Sequence, residues 1–307
     1  MMCVRTFLLS TVICFPEVFS FQSIGSKRTQ TSHSSTTALA VDFVPPAIET
    51  RIAPSEVVGI FDDFAASFEE NLIDDLGYTA PREVAGAAAK RIQDEENIRR
   101  KGHLYSSAID AGCGTGLIGP YLQKIVDGPI VGVDLSPKMA ELAAELVVDD
   151  GPTPMAKNYM RRCDETARTA QGISRLYDGI FTGDLLDLDN ATFLDGYGHD
   201  VRTFPKKAVD LIVCADVLCY FGDLKEVLQE FSERLAVGGD LIFTTETMAQ
   251  GDYSWVQLVS KRYAHCPDYA HKMAVDAGLS KVSQVAFSPR TELGEKVLGT
   301  LHTFTKK

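Results

Sequence analysis

Basic side chains are in short supply: 30 Lys and Arg stand against 42 Asp and Glu in 307 residues, a formal charge of −12 at pH 7. That sign repels phosphate backbones and anionic lipid, which argues against wholesale nucleic-acid binding. No apolar run reaches the roughly 20 residues that cross a bilayer, so a polytopic membrane protein is excluded. Cysteine is sparse, seven in all, without CxxC spacing. Neither a disulfide framework nor a structural zinc site is expected, and no metal is assigned. Twenty-four glycines exclude a collagen-like chain, and no 20–50-residue period marks a repeat architecture. What remains is ordinary globular composition, 45 % hydrophobic and 23 % charged, enough for one large core.

The first forty-odd residues read as an address. Met1 to Arg5 is a short basic start, and Thr6 to Phe15 is an apolar run of h-region length ended by Pro16. Val18 and Ser20 stand at the minus-three and minus-one places of a cleavage site, and Phe21 follows. Residues 21–37 are rich in Ser and Thr, carry Lys27 and Arg28, and hold no acid. A signal peptide over 1–20 followed by a transit-like segment over 21–45 resembles the bipartite plastid presequence of algae with secondary plastids. Plastid targeting is the expectation, with plain secretion as the alternative. Removing 1–45 leaves 27 basic and 40 acidic side chains, so the mature chain stays acidic.

In the mature chain, Phe61, Phe64, Phe68 and Leu72 recur at helical steps, and Pro81 opens a second helix with Val84, Ala88 and Ile92 on one face. Residues 46–102 therefore read as an N-terminal helical lid and 103–307 as the main domain. From His103 on, short apolar runs alternate with helical patterns, as in a parallel α/β sheet. The strands expected are 106–110, 130–134, 179–182, 209–214, 241–246, 283–287 and 297–305. The helices expected are 117–126, 137–148, 224–235 and 268–277. Two polar stretches, 149–175 and 187–207, read as surface excursions.

The most informative run is Asp110-Ala-Gly112-Cys113-Gly114-Thr-Gly116, leaving a strand and entering a helix. Glycines serve where backbone turns with positive φ and a ligand approaches the chain. Eighteen residues past Gly116, Asp134 ends the strand Ile130 to Asp134, where a carboxylate accepts a ribose diol. Gly114-Thr-Gly116-Leu-Ile-Gly119 also matches a dinucleotide loop, a common pattern on its own. Asp110 decides against pyrophosphate, since an acid at the strand end repels phosphate and favours an amino group and a sulfonium.

The set Asp110, Gly112, Gly114, Gly116 and Asp134 resembles motifs one and two of class I S-adenosylmethionine-dependent methyltransferases. Thr182-Gly-Asp184-Leu185, Val209 to Asp216, and Gly238-Gly239 before Leu241 are similar to later motifs of that family. The flanks Phe61 to Phe68, Leu76 to Pro81, Arg262 to His265 and Arg290 to Glu292 look like the predicted TPR-repeat-type methyltransferases and their methyltransferase-like 27 relatives. The resemblance implies a Rossmann-like class I fold, α/β, with a seven-stranded mostly parallel sheet and an antiparallel last strand. It implies S-adenosylmethionine as cofactor. Asp110 would hold its amino group and Gly112, Cys113 and Gly114 would pass beneath it. Asp134 would take the ribose, Leu135 and Leu185 the adenine ring, Asp184 the adenine amino group, and Ala215 the sulfonium side.

The Glu-His pair that many relatives carry after motif four is replaced by Leu218-Cys-Tyr220-Phe221. His265 is then the best base candidate and Tyr220 a second catalytic candidate, with Asp216 as a pocket wall. Trp255 and Tyr253 serve either an acceptor pocket or packing. The reading is methyl transfer to an unknown acceptor, first a small molecule, then a protein, and last a nucleic acid. The rivals are a non-catalytic cofactor-binding assembly factor and an NAD(P)-dependent oxidoreductase.

Overall fold

The computed structural model describes residues 49–65, 68, 77–94, 103–148, 162–248, 253–292 and 294–307. The presequence, Leu72 and residues 149–161 of the first polar excursion lie outside the described residues. The described chain opens with α1 (Pro54–Phe64) and α2 (Ala80–Gln93), each with proline in its first turn, where the missing N–H has no intrahelical partner to lose. Then follow β1 (Ala108–Ala111), α3 (Gly119–Leu122), β2 (Ile130–Asp134), α4 (Pro137–Ala144) and α5 (Glu165–Gln171). The middle of the chain holds β3 (Gly179–Thr182), β4 (Thr192–Phe193), β5 (Val209–Cys214), α6 (Lys225–Arg234) and β6 (Leu235–Thr247). The end holds β7 (Trp255–Gln257), β8 (Tyr263–His265), α7 (Pro267–Asp276), β9 (Leu279–Phe287), β10 (Thr291–Glu292), β11 (Glu295–Lys296) and β12 (Gly299–Lys306).

The main sheet runs β4-β3-β2-β1-β5-β6-β12-β9, with β8 joining β6 and β7 joining β8. The expected seven strands are its spine, and β4, β7 and β8 extend it to ten. Strands β3, β2, β1, β5 and β6 are parallel, while β12 runs antiparallel between β6 and β9. The three added strands are two or three residues long, too short to show as an alternating run.

Every residue of β1 is buried, as befits a strand covered on both faces. Period-two alternation sorts its neighbours to two cores. Leu211, Val213 and Ile242 face the helices α2, α3 and α4, whereas Ile212, Cys214, Leu241 and Phe243 face α6 and α7. The chain leaves β1 for β2 and β3 on one side, then returns to β5 on the other. Ligands sit at such a switch point, beyond the carboxyl ends of the strands.

Two expectations are corrected. The helix expected over 117–126 is a single turn, because Gly119 and Pro120 interrupt the pattern and the chain continues in turns. Gly119 lies against Tyr177, where an added Cβ would come 2.9 Å from the hydroxyl. The excursion over 162–175 also contains α5, capped by Asp164 and closed by Gly172 in the left-handed conformation.

Candidate functional site

A cavity of about 240 Å³ opens where the ends of β1, β2 and β5 meet α1 and the start of α2. Its floor comes from Asp110, the glycine loop, Asp134 and Ala215; its roof comes from Phe61, Phe64 and Phe68. The roof is braced by edge-on ring contacts of Phe61 with Phe68 at 6.0 Å and with Tyr220 at 5.5 Å.

The glycine loop is held by its own backbone. Gly112 and Cys113 both donate to the carbonyl of Val133, at 2.8 and 3.0 Å. Gly112 has φ +75°, and a Cβ there would meet Val217 at 2.4 Å, so this glycine is required by packing rather than by an approaching ligand. Gly114 differs: φ is +53°, and the nearest atom to an added Cβ is Phe68 at 4.0 Å, across the cavity. Its N–H donates to Asp134 Oδ2 at 2.8 Å. Arg162 reaches under the loop and donates to the Thr115 carbonyl at 3.1 Å. The Cys113 side chain belongs to the core on the α2–α4 face, and burial pushes its thiol well up from its usual range.

Two acids stand at this end, Asp110 buried and Asp134 half-buried, with no cation beside them among the described residues. Asp110 is 2 % exposed and accepts a hydrogen bond from the Tyr177 hydroxyl at 2.6 Å. Burial raises its carboxyl to about 7, with the Tyr177 bond opposing and the Asp134 charge adding to the shift. Asp134 accepts from the N–H groups of Gly114 and Ser136, each at 2.8 Å, yet burial still lifts it to about 6. Desolvated carboxylates gain most from a positively charged partner. Helix α1 engages the same corner: Ser136 donates to Asp62 at 2.5 Å.

Leu135 and Leu185 both line the cavity, beside Asp184. Asp184 pairs with Arg51, at 3.2 and 3.0 Å, and accepts from the N–H of Leu186. Arg51 also lies over the Phe221 ring, 5.0 Å from its centroid. The segment carrying it is fastened to the sheet end by the bonds of Gly222 and Asp223 N–H to Thr50, and of Ile52 N–H to Tyr220. Arg51 and Tyr177 carry no sequence signal, since neither belongs to a motif; only the fold brings them here.

The opposite end of the cavity is built from charge pairs. Arg290 bridges Asp216, Glu246 and Glu292, the last at 2.7 Å, and Arg262 donates to Glu246 at 2.7 Å and Glu292 at 2.5 Å. Glu246 is 3 % exposed and sits on β6, an acid inside a run that reads as plain buried strand. Asp216 follows Ala215 with φ +60°, a left-handed conformation that Asp tolerates at a cost of about 1 kcal/mol. Asp216, Cys219 and Glu246 lie close enough to hold an ion, but the Arg290 guanidinium already takes both carboxylates.

His265 is corrected as a base candidate. It is wholly buried in β8, stacks on Tyr269 and bonds the Gly222 carbonyl at 3.2 Å, outside the cavity lining. Burial lowers its pKa to about 4, so the ring is neutral and structural. Tyr220 does line the cavity, and burial pushes its hydroxyl well up, leaving it a hydrogen-bonding wall. Trp255 packs edge-on against Tyr263 at 5.4 Å, away from the lining.

A family model described as a methyltransferase domain matches residues 70–277, more than half of the chain. No curated protein matches the sequence. Among solved structures, the [4+2]-cyclase SpnF is similar at 14 % identity with a TM-score of 0.54, over 83 % of this chain and 97 % of that one. The 1,6-didemethyltoxoflavin-N1-methyltransferase of Burkholderia thailandensis, with bound 1,6-didemethyltoxoflavin and S-adenosylhomocysteine, is similar at 15 % identity and TM-score 0.50, over 83 % and 91 %. At such identities these two likenesses speak to the fold alone.

Proposed function

The chain belongs to the methyltransferase-domain family, and from that premise we propose that it methylates a small-molecule acceptor with S-adenosylmethionine as donor. The observation that carries this reading is the pair of desolvated carboxylates, Asp110 and Asp134, facing one cavity without a cation among the described residues. The donor fits them. Its amino group answers Asp110, its ribose hydroxyls answer Asp134, and its adenine finds Leu135 and Leu185 beside Asp184. Bound there, S-adenosylmethionine supplies a methyl carbon activated by a cationic sulfur. Gly114 leaves the floor open, Ala215 gives a small wall, and the Phe61, Phe64 and Phe68 roof excludes water. Alignment and dryness are the main contributions such a displacement needs.

The lid extends over 46–102 in this reading, and its aromatic pattern favours the TPR-type group within the family. Among the described residues no helix is long and apolar enough to cross a membrane. A protein acceptor ranks second and nucleic acid last, because the chain is acidic. The composition of residues 1–45 favours a plastid address. SpnF, named as a cyclase, shares this fold, so the reaction must be tested directly.

Thermal shift separates the readings. S-adenosylmethionine and S-adenosylhomocysteine should stabilise the chain, by about 2.7 kcal/mol at a hundredfold excess over Kd, and NADPH should not. Stabilisation by NADPH alone makes it an oxidoreductase. Donor binding without label transfer in a radiolabelled-methyl screen makes it an assembly factor.

A further inference from the structure

Resting on the donor site just described, we infer that the acceptor carries a basic nitrogen on an apolar body, and that Asp216 orients that nitrogen. The Ala215 end of the cavity holds one connected network of three carboxylates, Asp216, Glu246 and Glu292, around two guanidiniums, Arg262 and Arg290. The excess is one negative charge. Among the described residues, Lys261 at this rim pairs with Glu56 at 2.6 Å. An anionic acceptor meets repulsion here, and a cationic one meets its complement.

A second observation points to a ligand in the same place. Tyr78 is 8 % exposed, lines the cavity and gives its hydroxyl no partner among the described residues. The ring is packed away while its hydroxyl is left to the cavity, so a group that enters there can take the bond. Asp216 itself is held in a left-handed conformation, with its N–H fixed by Thr244 Oγ1 at 2.8 Å and its carboxylate fixed by Arg290.

The lining decides the kind of nucleophile. Among the described residues it contains no imidazole, and its lysine pairs with Glu56. The carboxylates at this end, Asp216 and Glu292, are held by guanidiniums that keep them weak bases. Methylating an alcohol or phenol requires a base for the hydroxyl proton, whereas a free amine needs none at the transfer step. An amine arriving as its ammonium ion first loses a proton to water. Its lone pair then forms the N–C bond while the C–S bond breaks and its electron pair stays on sulfur. Positive charge passes from sulfur to nitrogen, and the product loses a further proton to water. A carboxylate beside that nitrogen stabilises it most as the charge arrives.

The test uses the full chain saturated with S-adenosylhomocysteine and three probes with the same apolar body: phenethylamine, 2-phenylethanol and 3-phenylpropionate. Calorimetry should show the amine binding at least about tenfold tighter than the carboxylate. Asp216→Asn should erase that preference, and Asp216→Glu should restore it, with S-adenosylhomocysteine affinity unchanged in both. Asn accepts the left-handed conformation and can still accept from Arg290, so the variant keeps its fold. Tyr78→Phe should weaken the amine alone. The inference is overturned if the carboxylate binds as tightly as the amine, if Asp216→Asn keeps the preference, or if none of the probes binds the loaded chain. Failure of S-adenosylhomocysteine itself to bind would instead overturn the donor site.

Discussion

The two ends of the cavity handle negative charge in opposite ways. Asp110, buried, and Asp134, half-buried, have hydrogen bonds and no cation among the described residues, and both are pushed toward neutrality. Asp216, Glu246 and Glu292 are also largely buried, yet each is matched to a guanidinium, and Glu292 is held below its usual range despite burial. One end holds its acids without a cation among the described residues, and the other sets three carboxylates against two guanidiniums. Burial alone lifts an acid's pKa, and guanidiniums beside it reverse the shift.

That contrast breaks most visibly at Arg290. Arg290→Ala leaves Asp216, Glu246 and Glu292 without their shared partner and should cost about 3–5 kcal/mol in urea denaturation, as removal of one member of a buried pair does. A loss under about 1 kcal/mol would mean the network is solvated. At the other end, Asp134→Ala should weaken S-adenosylhomocysteine by about a hundredfold in calorimetry, near the upper value for bonds to a charged acceptor. Full affinity in that variant removes Asp134 from the ribose.

Changing pH sharpens the comparison further. Asp110 has a folded pKa near 7 against an ordinary 3.8, so the unfolded chain ionises first as pH rises. The unfolded state then binds fewer protons, and the stability this group contributes is lost between about pH 4 and 7, falling by about 1.4 kcal/mol for each pH unit crossed. His265 and His302 run the other way: burial lowers them to about 4 and about 3, so their contribution is lost as pH falls below about 6.5. The difference between the chain and Asp110→Asn isolates the acid. Unliganded melting temperatures of the two should diverge as pH rises from 4 to 7, with the variant the more stable; parallel curves would contradict the burial argument. The smallest effect belongs to Arg51. Its pair with Asp184 is partly exposed, so Arg51→Ala should tighten S-adenosylhomocysteine by only about two- to fivefold, as expected for a bond worth under about 1 kcal/mol. Weakened binding would show that Arg51 holds the nucleoside instead of competing for Asp184.

The same contrast explains what is legible in the sequence. The end with Asp110 is local: Asp110 and Asp134 lie on two successive strands, with Gly112 and Gly114 in the loop that leaves the first, so spacing alone exposes them. Strands β2, β3 and β5 fall at the residues expected, because continuous apolar runs of four to six mark covered strands. The far end is assembled from residues on separate elements, Asp216 with Arg290, 74 positions apart, and Arg262 with Glu246, 16 apart. No periodicity encodes those pairings. His265 misleads because a histidine before a proline-started helix reads alike whether exposed or buried, and only the packing of Tyr269 and Gly222 decides. The helix after the glycine loop is shorter than its pattern because Pro120 has no N–H to give to a turn begun at Leu117, so the helix starts only at Gly119.

The most direct measurement is proton release on donor binding: calorimetric titration of S-adenosylmethionine at pH 6.5 in two buffers of different ionisation enthalpy. A cation beside Asp110 favours its ionised form, so the account predicts net proton release that Asp110→Asn abolishes. Binding without release, with uptake, or with the same release in Asp110→Asn would contradict it.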